Sequence, residues 1–85
     1  MKISEIKFRM SEDSGLLAWA SCVLEDGMFL NNIAIRKKYD GSIYLNFPRY
    51  KSGSGNEYAY FKPINAEVYQ EIKSALLNAL GVSDE

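Results

Sequence analysis

Residues 41–65 read GSIYLNFPRYKSGSGNEYAYFKPIN, and this stretch decides the fold. Ile43, Leu45 and Phe47 alternate with Tyr44 and Asn46, the period-two pattern of a strand with one apolar face. Pro48 ends that strand, because it has no N–H to give to a ladder. Arg49 to Asn56, rich in Ser, Gly and basic residues, reads as a flexible loop. Glu57 to Lys62 alternates again and reads as the last strand, with Tyr58 and Tyr60 on one face and Ala59 and Phe61 on the other. Pro63-Ile64-Asn65 then leads into a helix. Asn65 is a good N-cap, since its side-chain oxygen can accept from an unpaired N–H of the first turn. Glu67 falls where the helix dipole favours an anion. Val68, Ile72, Leu76 and Ala79 form an apolar stripe at helical spacing. Gly81 suits the left-handed position beyond the last turn, with Val82 placed to close against Leu77.

Upstream of this stretch the chain is also strand-like. Ile6 to Met10 alternates, which turns Lys7 and Arg9 to water. Ser11 to Gly15 is a polar turn. Between Leu17 and Leu24 both faces are apolar: Leu17, Trp19 and Val23 on one side, Ala18, Ala20, Cys22 and Leu24 on the other. Such a strand is expected at the centre of a sheet, covered on both sides. Asp26-Gly27 marks a hairpin, Asp-Gly being suited to the positive φ angles of such turns. Met28 to Ile35 returns with Phe29, Ile33 and Ile35 on one face, and Arg36 to Gly41 forms a second turn ending in Asp-Gly. The expected architecture is α+β: a small antiparallel sheet of about five strands with one C-terminal α-helix.

The 85 residues make one domain with a core over about residues 2–80, and neither linker nor repeat divides them. A chain of this length buries only about 60–65% of its unfolded surface. Its single cysteine, Cys22, allows no intramolecular disulfide. With no signal peptide and no apolar run near the ~20 residues of a membrane span, the expected setting is the cytoplasm. A helix of ~15 residues covers one sheet face but hardly two, so a second copy of the chain is the expected additional cover, through sheet faces, edges or exchanged helices. A loop over the small residues of the two-sided strand would be the alternative.

The net charge of −1 conceals a segregation: residues 1–26 carry −2, residues 27–65 carry +4 and residues 66–85 carry −3. A basic middle allows a local polyanion site on a protein with no overall attraction to polyanions. Arg36, Lys37 and Lys38 fall at the turn end of a hairpin, and Arg49 and Lys51 about 17 Å away at its other end. Lys62 is expected to return to the turn end after the next strand. Tyr44, Tyr58 and Tyr60 read either as a stacking platform for bases or as cross-strand pairs that stabilise the sheet. Tyr50, between Arg49 and Lys51 in the loop, is the better candidate for ligand contact.

Catalysis has little support. The chain has no histidine, the commonest general base. Cys22 reads as an inert buried thiol. Glu12-Asp13 and Glu25-Asp26 read as solvated turns, and Gly53-Ser54-Gly55 lacks the ending of a phosphate loop. No cofactor, metal or small-molecule substrate is expected.

These residues in this order resemble the stage V sporulation protein G (septation protein G, SpoVG) family, over roughly residues 2–80. Ile3-Ser4-Glu5-Ile6-Lys7 resembles the family's opening strand of the type Val-Thr-Asp-Val-Arg. A strand ending in an acidic residue follows as Ala18 to Glu25, with a partly apolar return strand from Met28 to Ile33. The family's Gly-Leu-Phe-Val-x-Met-Pro-Ser strand, running into basic residues, is matched by Gly41 to Arg49 and then Tyr50-Lys51. Its Pro-Ile-Asn before the helix is Pro63-Ile64-Asn65.

The resemblance implies a dimeric α+β protein that binds nucleic acid, DNA or RNA, and affects bacterial gene expression in connection with septation or sporulation. It places contacts at Arg49 and Lys51. Departures are Asn31-Asn32-Ile33-Ala34 where the family has His-Asp-Leu-Arg, Tyr58-Ala59-Tyr60 for Phe-Arg-Asp, and Lys62-Pro63 for His-Pro. Tyr50 also stands where a basic residue is common. Arg36, Lys37 and Lys38 can stand in for the missing arginine. The expected function is a homodimeric nucleic-acid-binding regulator. The alternative is a non-catalytic protein–protein interaction module, which the acidic ends and near-zero net charge suit.

Overall fold

The two-sided strand is the centre of the sheet. In the computed structural model, which describes residues 1–83, β1 (Ile3–Met10), β2 (Leu16–Leu24), β3 (Met28–Lys37) and β4 (Ile43–Asn46) form an antiparallel sheet in the order β1-β2-β3-β4. A separate two-stranded hairpin, β5 (Arg49–Lys51) and β6 (Glu57–Ala59), follows, and then one helix, α1 (Ala66–Leu80). The fold is therefore α+β, with the expected strands divided between a four-stranded sheet and a two-stranded arm.

The core lies between α1 and one sheet face. Ala20 and Cys22 of β2 and Ile33 and Ile35 of β3 are at most 2% exposed, and Ile72, Leu76 and Leu77 of α1 pack with the same cluster. The helix begins as its sequence requires: the Asn65 side-chain oxygen accepts from the Val68 N–H at 2.9 Å. It ends at Gly81, whose φ of 83° is open to glycine at no steric cost, and the N–H groups of Gly81 and Val82 both donate to the Leu77 carbonyl. The buried stripe differs from the predicted one. Ile72 and Leu76 belong to it, but Lys73 and Leu77 complete it and Ala79 is exposed, because a helix resting on a flat sheet buries both the i+3 and i+4 neighbours of its contact line.

Two β-bulges, in β1 and β3 on either side of β2, set which residues reach the core, and a third register shift falls between Leu16 and Ala18 near the end of the β2–β3 pairing. Ala20 pairs with Ile33 and Cys22 with Leu30, so β3 carries one extra residue there; Asn32 takes it up in the left-handed region at φ 56°. Ser4 pairs with Val23 and Lys7 with Ser21, so β1 carries an extra residue too, with Glu5 at φ 48°. Each insertion shifts the alternation by one. Leu30 thereby joins Ile33 and Ile35 in the core, and Ile3 joins Ile6 and Phe8 against it. The same shift corrects one expectation: Phe29 does not share a face with Ile33 and Ile35 but stands 65% exposed on the opposite one.

Asn is among the few residues that tolerate the left-handed region, so Asn32→Val is expected to destabilise by about 1–2 kcal/mol and Asn32→Gly by much less. Urea unfolding of the two variants measures the difference. Equal midpoints would show that the bulge does not depend on this conformation.

At the β2–β3 turn the positive φ angles fall on Glu25 (52°) and Asp26 (56°), one residue earlier than Asp-Gly alone suggests. The side chains of that turn are engaged. Glu25 accepts from the Lys2 N–H at 2.8 Å, its own N–H donates to the Lys2 carbonyl at 2.9 Å, and Asp26 pairs with the Lys2 ammonium at 2.7 Å. The acidic pair read as a solvated turn thus fastens the start of β1. The ion pair itself is exposed and contributes little, about 0–1 kcal/mol.

The outer edge of β4 is partly closed. Leu45 donates its N–H to the Tyr69 hydroxyl of α1 at 2.8 Å, which satisfies a backbone group that would otherwise invite another strand.

Candidate nucleic-acid interface

Arg49 to Asn56 is not a loop throughout. Pro48 ends β4, and the next three residues pair with the return segment instead of continuing the main sheet: Arg49 with Ala59, Tyr50 with Tyr58 and Lys51 with Glu57. The tip is closed by backbone bonds from the Ser52 N–H to the Asn56 carbonyl at 2.8 Å and from the Gly55 N–H to the Ser52 carbonyl at 3.0 Å. Gly55 has φ 90°, the conformation this turn needs. The Ser52 and Ser54 hydroxyls add a bond at 2.8 Å. The serines and glycines read as flexibility are therefore turn formers, and β-propensity in Tyr50 and Tyr58 supplies the rest.

The arm is rooted in the core at its base. Tyr60 donates its N–H to the Pro48 carbonyl at 3.0 Å. Phe61 meets Phe47 edge to face with ring centroids 5.9 Å apart, and Phe47 meets Tyr69 at 6.4 Å. One chain of contacts thus runs from the helix through Tyr69 and Phe47 to the arm.

Along the arm, alternation sorts the side chains. Tyr50, Tyr58 and Tyr60 share one face, with the Tyr50 ring 5.7 Å from Tyr58 and 5.0 Å from Tyr60. All three are exposed, at 45%, 47% and 67%. They are a cross-strand cluster and an accessible aromatic surface at once, so the two readings of these tyrosines are not exclusive. Tyr44 lies elsewhere, in the main sheet. Arg49 and Lys51 occupy the opposite face of the arm from Tyr50, and Lys51 has Glu57 directly across from it.

The seven basic and aromatic candidates form two groups. Arg49, Tyr50 and Lys51 belong to the arm, and Lys62 follows Phe61 at its root. Lys62 was expected at the β3–β4 turn. It lies at the arm instead because β6 returns along β5 and not along β4. Arg36, Lys37 and Lys38 stand at the other end of β4, a strand of four residues and thus about 14 Å. There Arg36 pairs across from Tyr44, its Nε–H buried without a partner among the described residues. Lys37 donates its N–H to the Gly15 carbonyl at 2.8 Å. The Lys38 ammonium lies over the Tyr44 ring, 5.5 Å from its centre. A cleft of about 740 Å³ opens beside them, bordered by Leu17, Tyr39 and Asp40. The Ser42 hydroxyl and N–H both donate to Asp40, which holds its carboxyl below the usual carboxylate range.

A third feature was missed in the sequence. On the sheet face away from α1, the Arg9 guanidinium lies 5.8 Å from the centre of the Trp19 ring. Alternation along β1 predicts only that Lys7 and Arg9 face water. The available signal was that Arg9 and Trp19 alternate with core residues on neighbouring strands, but their meeting depends on the register across the β1 bulge.

Cys22 is fully buried, and burial pushes its thiol pKa up, away from reactivity. Among the described residues no group of three or more metal-ligating side chains converges, and no helix is long and apolar enough to cross a membrane.

Fold and site together define a small α+β protein: a helix-backed antiparallel sheet from which a tyrosine-faced, basic β-arm extends. The sequence profile of the SpoVG family matches residues 1–81, and the chain belongs to that family. A relative from Clostridioides difficile (strain 630), named "Putative septation protein SpoVG", is 29% identical over 80 residues, covering 93% of this chain and 86% of the relative.

Proposed function

We propose that this chain is a homodimeric nucleic-acid-binding regulator of gene expression, without catalytic activity, and that the β5–β6 arm is its contact element. The observation that carries this reading is the arm itself: three clustered, exposed tyrosines on one face and Arg49 and Lys51 on the other, with Lys62 at the root. A cross-strand aromatic pair contributes only about 0.2–1 kcal/mol to the fold, whereas bases stack on such exposed rings at about 1–3 kcal/mol each. The basic face neutralises phosphates, a contribution that weakens with salt through counterion release. Arg36, Lys37 and Lys38, at the far end of β4, form a second phosphate-binding group. The relative's name, "Putative septation protein SpoVG", supports septation as the regulated process.

The test is an anisotropy titration with labelled single-stranded DNA, duplex DNA and RNA over a series of salt concentrations. Tight binding that falls with salt is expected. The Arg49→Ala/Lys51→Ala double variant is expected to bind all probes more weakly and to lower the salt slope by about two units, one for each lost phosphate contact. An unchanged slope would remove the arm's basic face from the interface. Light scattering on the free protein is expected to give twice the mass of one chain. Salt-insensitive behaviour and no retention of any probe would instead favour a protein partner.

A further inference from the structure

The face of the main sheet opposite α1 carries more than the arm reading uses. Its strand residues include Trp19 and Tyr44, each half-buried with one cation over the ring, and Phe29, which is 65% exposed. Arg9 pairs across from Trp19 and Arg36 from Tyr44, and Lys7 sits two residues before Arg9. None of the strand residues paired into this face is a carboxylate. Asp40 borders it in the cleft beside Tyr44, with its carboxylate already engaged by Ser42. A second, smaller cleft of about 270 Å³ lies between Lys7, Trp19 and Phe29.

We propose that this open sheet face is a second binding surface, for single-stranded nucleic acid, with Trp19 and Tyr44 stacking bases and Arg9 and Lys38 taking the adjoining phosphates. The proposal rests on the reading that the protein binds nucleic acid, and it deepens that reading by naming the form of the strand.

Charge decides the occupant. A second copy of the chain placed face to face by a two-fold axis would set Lys7, Arg9, Arg36 and Lys38 against the same four residues, with only Glu5 in the β1 bulge and Asp40 at the border to answer them. A polyanion meets no such penalty. A duplex keeps its bases paired inside, so it can supply phosphates but no free base to the rings, whereas a single strand supplies both.

The rings are available at low cost. A stacked base makes a larger contact with each ring than a single overlying cation does. Arg9 and Lys38 are exposed side chains that can leave the ring for a phosphate when a base arrives. Trp19 and Tyr44 are two strands and two residues apart, roughly 12 Å, the reach of a short run of nucleotides. The buried Nε–H of Arg36, which has no partner among the described residues, adds a donor beside Tyr44.

Trp19 is the chain's one tryptophan, so its fluorescence reports this face and not the arm. The full chain would be titrated with a labelled oligothymidylate of about ten nucleotides and with a duplex, reading tryptophan emission and anisotropy together. The single strand is expected to quench Trp19 in step with the anisotropy rise, and the duplex to leave it bright. The Arg9→Ala/Lys38→Ala variant is expected to weaken the quenching about tenfold.

Anisotropy that rises with no quenching, and is unchanged by Arg9→Ala/Lys38→Ala, would overturn the proposal while leaving the arm reading intact. No anisotropy change with any probe would overturn both. A shift of Trp19 emission with protein concentration alone, matched by a rise in mass, would assign the face to a second copy and overturn the proposal.

Discussion

Leu76→Ala is expected to remove a large part of this protein's stability. Leu76 is 0% exposed and belongs to the cluster that joins α1 to β2 and β3. Truncating a buried leucine costs the transfer of its methyl groups and leaves a cavity, about 2–5 kcal/mol together. A domain of this length has a total stability of roughly 4–13 kcal/mol. The midpoint of thermal unfolding is therefore expected to fall by about 10 °C or more.

Ala79→Glu makes the informative partner. It lies three residues further along the stripe predicted from helical spacing, yet Ala79 is exposed, so its replacement is expected to change stability by less than about 0.5 kcal/mol. Circular-dichroism melts of both variants decide the matter. A large loss in Ala79→Glu would mean that the helix sits on the sheet with a different rotation.

The second large effect is expected in binding. Replacing both Tyr50 and Tyr58 by Ala removes two rings of the arm cluster, and at about 1–3 kcal/mol per stacked base the double variant should bind single-stranded probes weaker by some 30-fold or more. Folding should hardly notice, because a cross-strand aromatic pair on an arm contributes only about 0.2–1 kcal/mol. Two controls separate stacking from charge. Tyr50→Phe keeps the ring and should keep the affinity. The tyrosine variants should also leave the salt slope as it is, in contrast to Arg49→Ala/Lys51→Ala, because a stacked base releases no counterion. A loss of affinity accompanied by a flattened slope would mean that the rings act by positioning the basic residues and not by stacking.

The arm also shows where sequence reading met its boundary. Strand alternation at Tyr58 to Phe61 was plain, and so was the stop at Pro48. Three residues before a serine-glycine turn are too few to carry a period, so β5 became visible only through its partner β6. The location of Lys62 followed from the same missing pairing. The grouping of tyrosines on one face and cations on the other is implicit in the numbering, but only once Arg49 to Lys51 is known to be extended.

What the sequence by itself determined is local. Asn65 and Gly81 bound the helix, because a cap is made between residues three or four apart. The two-sided apolar run of β2 required a central strand. The tertiary structure decided what depends on distant partners. Two bulges re-phased β1 and β3, which sent Ile3 and Leu30 inward and Phe29 outward, and the pairing of β5 with β6 set the arm apart from the sheet. The physical reason is that a strand's period says only that neighbours alternate. Which side is inside depends on register, and register belongs to the pair of strands and not to either one.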